Sequence, residues 1–176
     1  MAAALTALLS ACGSGGGGGI SNPADARIGV SPGRIDSGDR VSVEARVLGI
    51  TEDRILVKIR YPNQLSYVRG SYVLSSGLLS DSDGPDIRAS DTSNTYLVDD
   101  IDLAELGIED DEPIYINFEL LGTDDLPSGM VELDVDINGR RDEGINFDIT
   151  DPRFDAQSDS SVGIGPAPSP TPEEEE

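Results

Sequence analysis

Carboxylates are the side chains this chain has in quantity for doing chemistry. It carries 34 Asp and Glu in 176 residues, one Cys, no Trp and no His. Without His there is no Ser-His-Asp or Cys-His catalysis, and no His- or Cys-rich zinc site can be built within the chain. Carboxylates serve two other purposes: clustered, they are hard oxygen ligands for calcium; paired across a cleft, they act as acid and base in hydrolysis. The segment Asp81-Ser-Asp83-Gly84-Pro-Asp86 reads as part of a calcium loop. The complete helix-loop-helix pattern fails, because its first and last ligand positions fall on Leu79 and Ser90. Further acids follow at Asp99, Asp100 and Asp102, then at Asp110, Asp111 and Glu112. Such runs also occur as plain solvated loops. Hydrolysis needs a shaped cleft, and short loops without Trp do not supply one, so the chain reads as non-catalytic.

Charge narrows the partners. The formal net charge is −22, which makes contact with nucleic-acid phosphates repulsive. Residues 1–60 are close to neutral, and the acids crowd the remainder. Lys58 is the sole lysine; the other basic residues are all Arg. An Asp-rich, Lys-poor surface suits a salty habitat in which counterions screen self-repulsion, and a genome rich in G and C gives the same bias.

The positioning elements begin after an atypical N-terminus. Residues 1–11 are uncharged and apolar, too short to span a bilayer, and end at a small-residue site. Leu9-Ser10-Ala11-Cys12 resembles the bacterial lipobox, in which the Cys becomes the lipid-modified first residue of the mature protein. No Lys or Arg precedes the apolar run, so the signal segment starts upstream or is degenerate. Residues 12–24 then form a lipidated Cys and a Gly-rich flexible tether. The resemblance implies a membrane partner reached through lipid on Cys12, and a place in the cell envelope, periplasmic or surface-exposed. With no second Cys, no disulfide supports the fold. Residues 166–176, Pro-rich and ending in four Glu, read as a disordered tail.

Residues 25–165 carry period-two patterns. Val41, Val43, Ala45 and Val47 share one face; Ile55, Val57, Ile59 and Tyr61 share another, with Leu56, Lys58 and Arg60 outward. Ile114, Ile116, Phe118 and Leu120 form a third set, Val131, Leu133, Val135 and Ile137 a fourth, and Ile145, Phe147 and Ile149 a fifth. Shorter candidates lie at 27–31, 66–75, 95–101 and 160–164. Alternation broken by Gly, Pro and Asp predicts an all-β, Ig-like antiparallel sandwich of about seven to nine strands. Asp102 to Gly107 predicts one capped helical turn. The register that keeps apolar faces together pairs Leu133 with Ile149, Val135 with Phe147 and Ile137 with Ile145 across a loop at 138–144. It sets Asp134 opposite Asp148 on the outer face, which adds both to Asp81, Asp83 and Asp86 as candidate calcium ligands.

Gly38-Asp39 before a strand, then Pro62, Leu65, Tyr67-Val68 and Gly70-Ser71, resemble the Ig-like conserved-repeat domain of unknown function found in bacterial surface and adhesion proteins. Tyr96-Leu97, Leu106-Gly107, Ile114 to Phe118 and Ser128-Gly129 follow the same layout, and Gly49 to Asp53 depart from it. The resemblance implies a spacer, adhesive or assembly module with a surface-protein or glycan partner, and carries no catalytic residues. The alternative is a ligand-binding or carboxylate-dependent hydrolytic envelope protein. Its five tyrosines, at 61, 67, 72, 96 and 115, are candidates for an adhesive patch, although Tyr61 falls on the core face. Some bacterial surface Ig-like domains contain Lys–Asn crosslinks, which require a buried lysine beside a buried acid; an outward Lys58 argues against one.

Overall fold

In the computed structural model the described residues are 24–51, 53–76, 79–81, 84–85, 87–110, 112–136 and 155–166. Among these described residues twelve strands and one helical turn follow in order: β1 (Asp25–Ser31), β2 (Arg34–Ile35), β3 (Arg40–Leu48), β4 (Arg54–Pro62), β5 (Leu65–Tyr67), β6 (Val73–Ser76), β7 (Leu79–Asp81), β8 (Ile87–Ser90), β9 (Asn94–Asp102), α1 (Leu103–Leu106), β10 (Ile114–Gly122), β11 (Leu126–Asp136) and β12 (Asp155–Ile164). The count exceeds the expected range because several strands are only two to four residues long.

Two sheets face each other. The first runs β1-β3-β10-β6-β7, with β5 also on β10; the second runs β2-β12-β11-β4-β9-β8. All the pairings are antiparallel except β2 with β12. The alternating sets meet between the sheets as predicted: Val41, Val43, Ala45, Val47, Ile114, Ile116, Phe118 and Leu120 from one, and Ile55, Val57, Ile59, Tyr61, Val131, Leu133 and Val135 from the other. Burying that continuous apolar layer is what holds a disulfide-free sandwich together.

Turn chemistry fixes the strand ends. Gly38 has φ of 93°, a conformation that only glycine adopts cheaply, and its N–H donates to Gly122 O at the far end of β10. The helical turn forms as its capping residues dictate. The Asp102 carboxylate accepts from Glu105 N at 2.9 Å, and Gly107 sits left-handed with φ of 68° at the C-terminal end. The Val68–Ser71 motif locks β5 onto β10: the Ser71 hydroxyl donates to Val68 O at 2.7 Å and accepts from Glu119 N at 2.9 Å.

One edge is closed by side chains. Ser158 and Ser160 hydroxyls of β12 accept from the backbone N–H groups of Ile28 and Val30 in β1, at 3.1 and 3.2 Å. The outer donors of an edge strand are thus used inside the molecule.

The expected partner of β11 is corrected. Both sides of β11 are occupied, by β4 and by β12: Leu133 pairs with Ser158 and Ile59, Val135 with Ala156 and Val57. Asp134 therefore lies between Gln157 and Lys58, not opposite Asp148. The loop at 138–144 and the run at 145–149 lie outside the described residues.

Candidate functional site

The arrangement most unlike ordinary surface chemistry sits at the β4–β11 rung. Lys58 and Asp134 are directly paired, with side chains only 3% and 0% exposed. Lys58 Nζ lies 2.7 Å from Asp134 Oδ2 and 3.0 Å from Asp136 Oδ2. Asp134 and Asp136 are two residues apart on one strand, so both carboxyls project from the same face and converge on one amine. The phase predicted for Lys58 is right, since it shares a face with Arg60, but the expectation of an exposed outer lysine is wrong. The same row carries Val98, paired with Lys58 from β9 and 2% exposed, so this part of the outer face is dry.

Burial alone pulls the Lys58 ammonium toward losing its proton; the bonds and charges of Asp134, then Asp136, outweigh that and raise its pKa above the ordinary lysine value. The neighbouring rung is a more familiar ion pair. Arg60 holds Glu132 in a two-point contact at 2.6 and 2.7 Å, each side chain 25% exposed.

A second cluster lines a cleft of about 330 Å³ beside α1. Asp99 points inward from β9 and accepts a hydrogen bond from the buried Tyr72 hydroxyl, which tethers the two sheets. Arg54 reaches Asp102 at 2.7 Å and Asp100 at 3.2 Å. Each of these three carboxylates thus serves a structural partner within the chain, Asp99 a tyrosine hydroxyl and Asp100 and Asp102 one shared guanidinium. On the exposed turn before β9, Asp91 accepts from the backbone of Ser93 and Asn94 and from the Tyr96 hydroxyl, which keeps its carboxyl below the usual range.

The sequence-predicted sites fare unevenly. Asp81 pairs with Leu74 at the end of β7, while Asp83, Asp86, Asp148 and Cys12 lie outside the described residues. Asp134, expected as an outward calcium ligand, is the buried partner of a lysine instead, because the outer face is covered at its rung. Among the described residues no three Asp, Glu, His or Cys are grouped to hold a metal ion, and no helix is long and apolar enough to cross a membrane. The tyrosines do not make a patch. Tyr61 and Tyr72 are buried, Tyr67 packs on Phe118, Tyr96 is tied to Asp91, and Tyr115 lies under the Arg46 guanidinium.

No family model matches the chain, and no curated protein matches it in sequence. Its fold has counterparts among solved structures. The N-terminal domain of the Streptococcus gordonii adhesin Sgo0707 superposes with a TM-score of 0.55 at 12% identity, over 82% of this chain and 33% of that one. The full-length major pilin SpaD of Corynebacterium diphtheriae superposes with a TM-score of 0.53 at 9% identity, over 79% of this chain and 34% of that one. The fold is an Ig-like sandwich. At such identities the likeness speaks for architecture alone, and this chain spans about a third of the length of either protein.

Proposed function

We propose that the chain is a non-catalytic module of the bacterial envelope or cell surface, anchored by lipid on Cys12 and acting as a spacer, adhesive or assembly unit. The observation that carries the non-catalytic reading is the state of the cleft acids: Asp99 is held by Tyr72, and Asp100 and Asp102 by Arg54. A hydrolytic pair needs two carboxyls aimed at one bond. The surface reading draws support from a fold shared with an adhesin domain and a major pilin, and the anchor from the lipobox-like Leu9 to Cys12 before the Gly tether. Expressed from its full gene in a bacterial host, the protein should fractionate with membranes, and Cys12→Ser should shift it to the soluble fraction. Equal solubility of both forms would remove the anchor from this reading.

The acidic surface belongs to the same proposal as a salt-screened face and not a calcium site. Thermal stability should rise with roughly hundreds of millimolar sodium chloride, while millimolar calcium and matched magnesium should move the melting temperature equally. A calcium-specific shift abolished by Asp81, Asp83 and Asp86→Asn would reverse that choice.

A further inference from the structure

We propose that Lys58 and Asp134 condense into a covalent amide that ties β4 to β11, with Asp136 carrying the protons.

The choice of residue is the first argument. Every other ion pair among the described residues uses arginine: Arg27 with Asp25, Arg40 with Glu119, Arg54 with Asp100 and Asp102, Arg60 with Glu132. Guanidinium is the better partner for a buried carboxylate, and a chain that uses it everywhere else has an amine at this rung alone. An amine differs from guanidinium in one relevant way: it can give up its proton and attack carbon. The sole lysine is also the basic side chain sealed between two acids.

Geometry is the second. The amine and the Asp134 carboxyl are in contact at 2.7 Å, directly paired on the ladder, and almost without exposure, so no encounter has to be arranged. Asp134 is the acceptor, being the nearer and fully buried acid; Asp136, at 3.0 Å and 10% exposed, is the proton carrier. Asp136 takes a proton from the ammonium, the freed Nζ lone pair adds to Asp134 Cγ, and the N–C bond forms as one C–O bond breaks. Two of the three ammonium protons depart with that oxygen as water, passed through Asp136, which ends as it began. One positive and one negative charge vanish together, and no oxidant, reductant or other reactant is consumed. The interior favours the product, since a neutral amide replaces two desolvated charges and the released water leaves for bulk solvent.

The test is the intact mass of the purified, folded chain, followed by tryptic mapping. The expected mass is lower by one water. Trypsin should fail to cut after Lys58, and the peptide bearing Lys58 should be joined to the one bearing Asp134, with fragmentation placing the link on Asp134. Lys58→Arg, which keeps the charge and removes the nucleophile, should restore the full mass, and Asp136→Ala should leave most of the chain uncondensed. Mapping the unaltered chain needs neither variant to fold. A folded chain at full mass that trypsin cleaves after Lys58 overturns the proposal. So does a link placed on Asp136, or a water loss that survives Lys58→Arg and belongs instead to another reaction such as cyclisation at Asp83-Gly84.

Discussion

Phe118→Ala should bring the domain close to unfolding. Phe118 is 2% exposed in the middle of β10 and packs against the rings of Tyr67 and Tyr72, at centroid separations of 6.3 and 6.5 Å. Removing it forfeits the transfer energy of a ring and leaves a void that sheets pinned by their ladders cannot close, a cost of about 3–5 kcal/mol. Small domains have only about 5–15 kcal/mol in total, and this one has a single cysteine, so no disulfide adds to it. Chemical denaturation should show a midpoint far below that of the unaltered chain. The neighbouring Asn117→Ala, on the other face and half-buried, should change little. Equal effects at both positions would mean that the strand phase is wrong.

Lys58→Met is expected to be about as damaging, for an electrostatic reason. The side chain length is nearly kept, but Asp134 loses the amine that neutralises it, whether as ion pair or as amide, and leaving a charge unpaired inside a protein costs about 3–5 kcal/mol. Replacing Arg60, whose pair with Glu132 is partly wet, should cost about 1 kcal/mol. The pH dependence of stability adds a separate reading. Where Lys58 remains an ammonium facing Asp134 and Asp136, its folded pKa lies above the ordinary value of 10.5. Its contribution is then complete below about 10.5 and drains away as pH rises through the folded value. A condensed chain has no ammonium at this position to titrate, so its stability should show no such alkaline loss. A Lys58→Met variant as stable as the parent would show that the triad adds nothing to the fold.

Much of the architecture was legible because alternation reports face. The inward residues of β3, β4, β10 and β11 fall where period two puts them, and the capped turn at Asp102–Gly107 forms with the bonds its residues imply. Alternation does not report partner. The apolar run at 145–149 looked like the natural mate for Leu133 and Val135, whereas the actual mate, β12, places Ser158 and Ala156 there and adds Val162 and Ile164 to the core only near its end. Ser158 and Ser160 are spent on β1 backbone donors, so polar composition concealed the first half of a strand of which only 160–164 shows in the sequence. The buried lysine was missed by equating the outer face with water. The available signal was apolar residues in the outward phase: Val98 beside Lys58, and Leu56 two residues before it. A lysine flanked by such neighbours and facing an Asp-x-Asp strand is a candidate for burial, whichever face it occupies.

The serine clasp between β1 and β12 has a mechanical meaning. The first and last strands belong to different sheets, yet they touch through Ser158 and Ser160. Tension applied through the segments flanking the domain would enter at those two strands and meet the clasp first. Rupture there would part the sheets along one margin, while the β4–β11 rung, one strand further in than β12, would hold the centre of the second sheet. Extension should therefore proceed in two stages, peeling of the margin and then failure of the middle, with the second step withheld for as long as the Lys58–Asp134 link is intact.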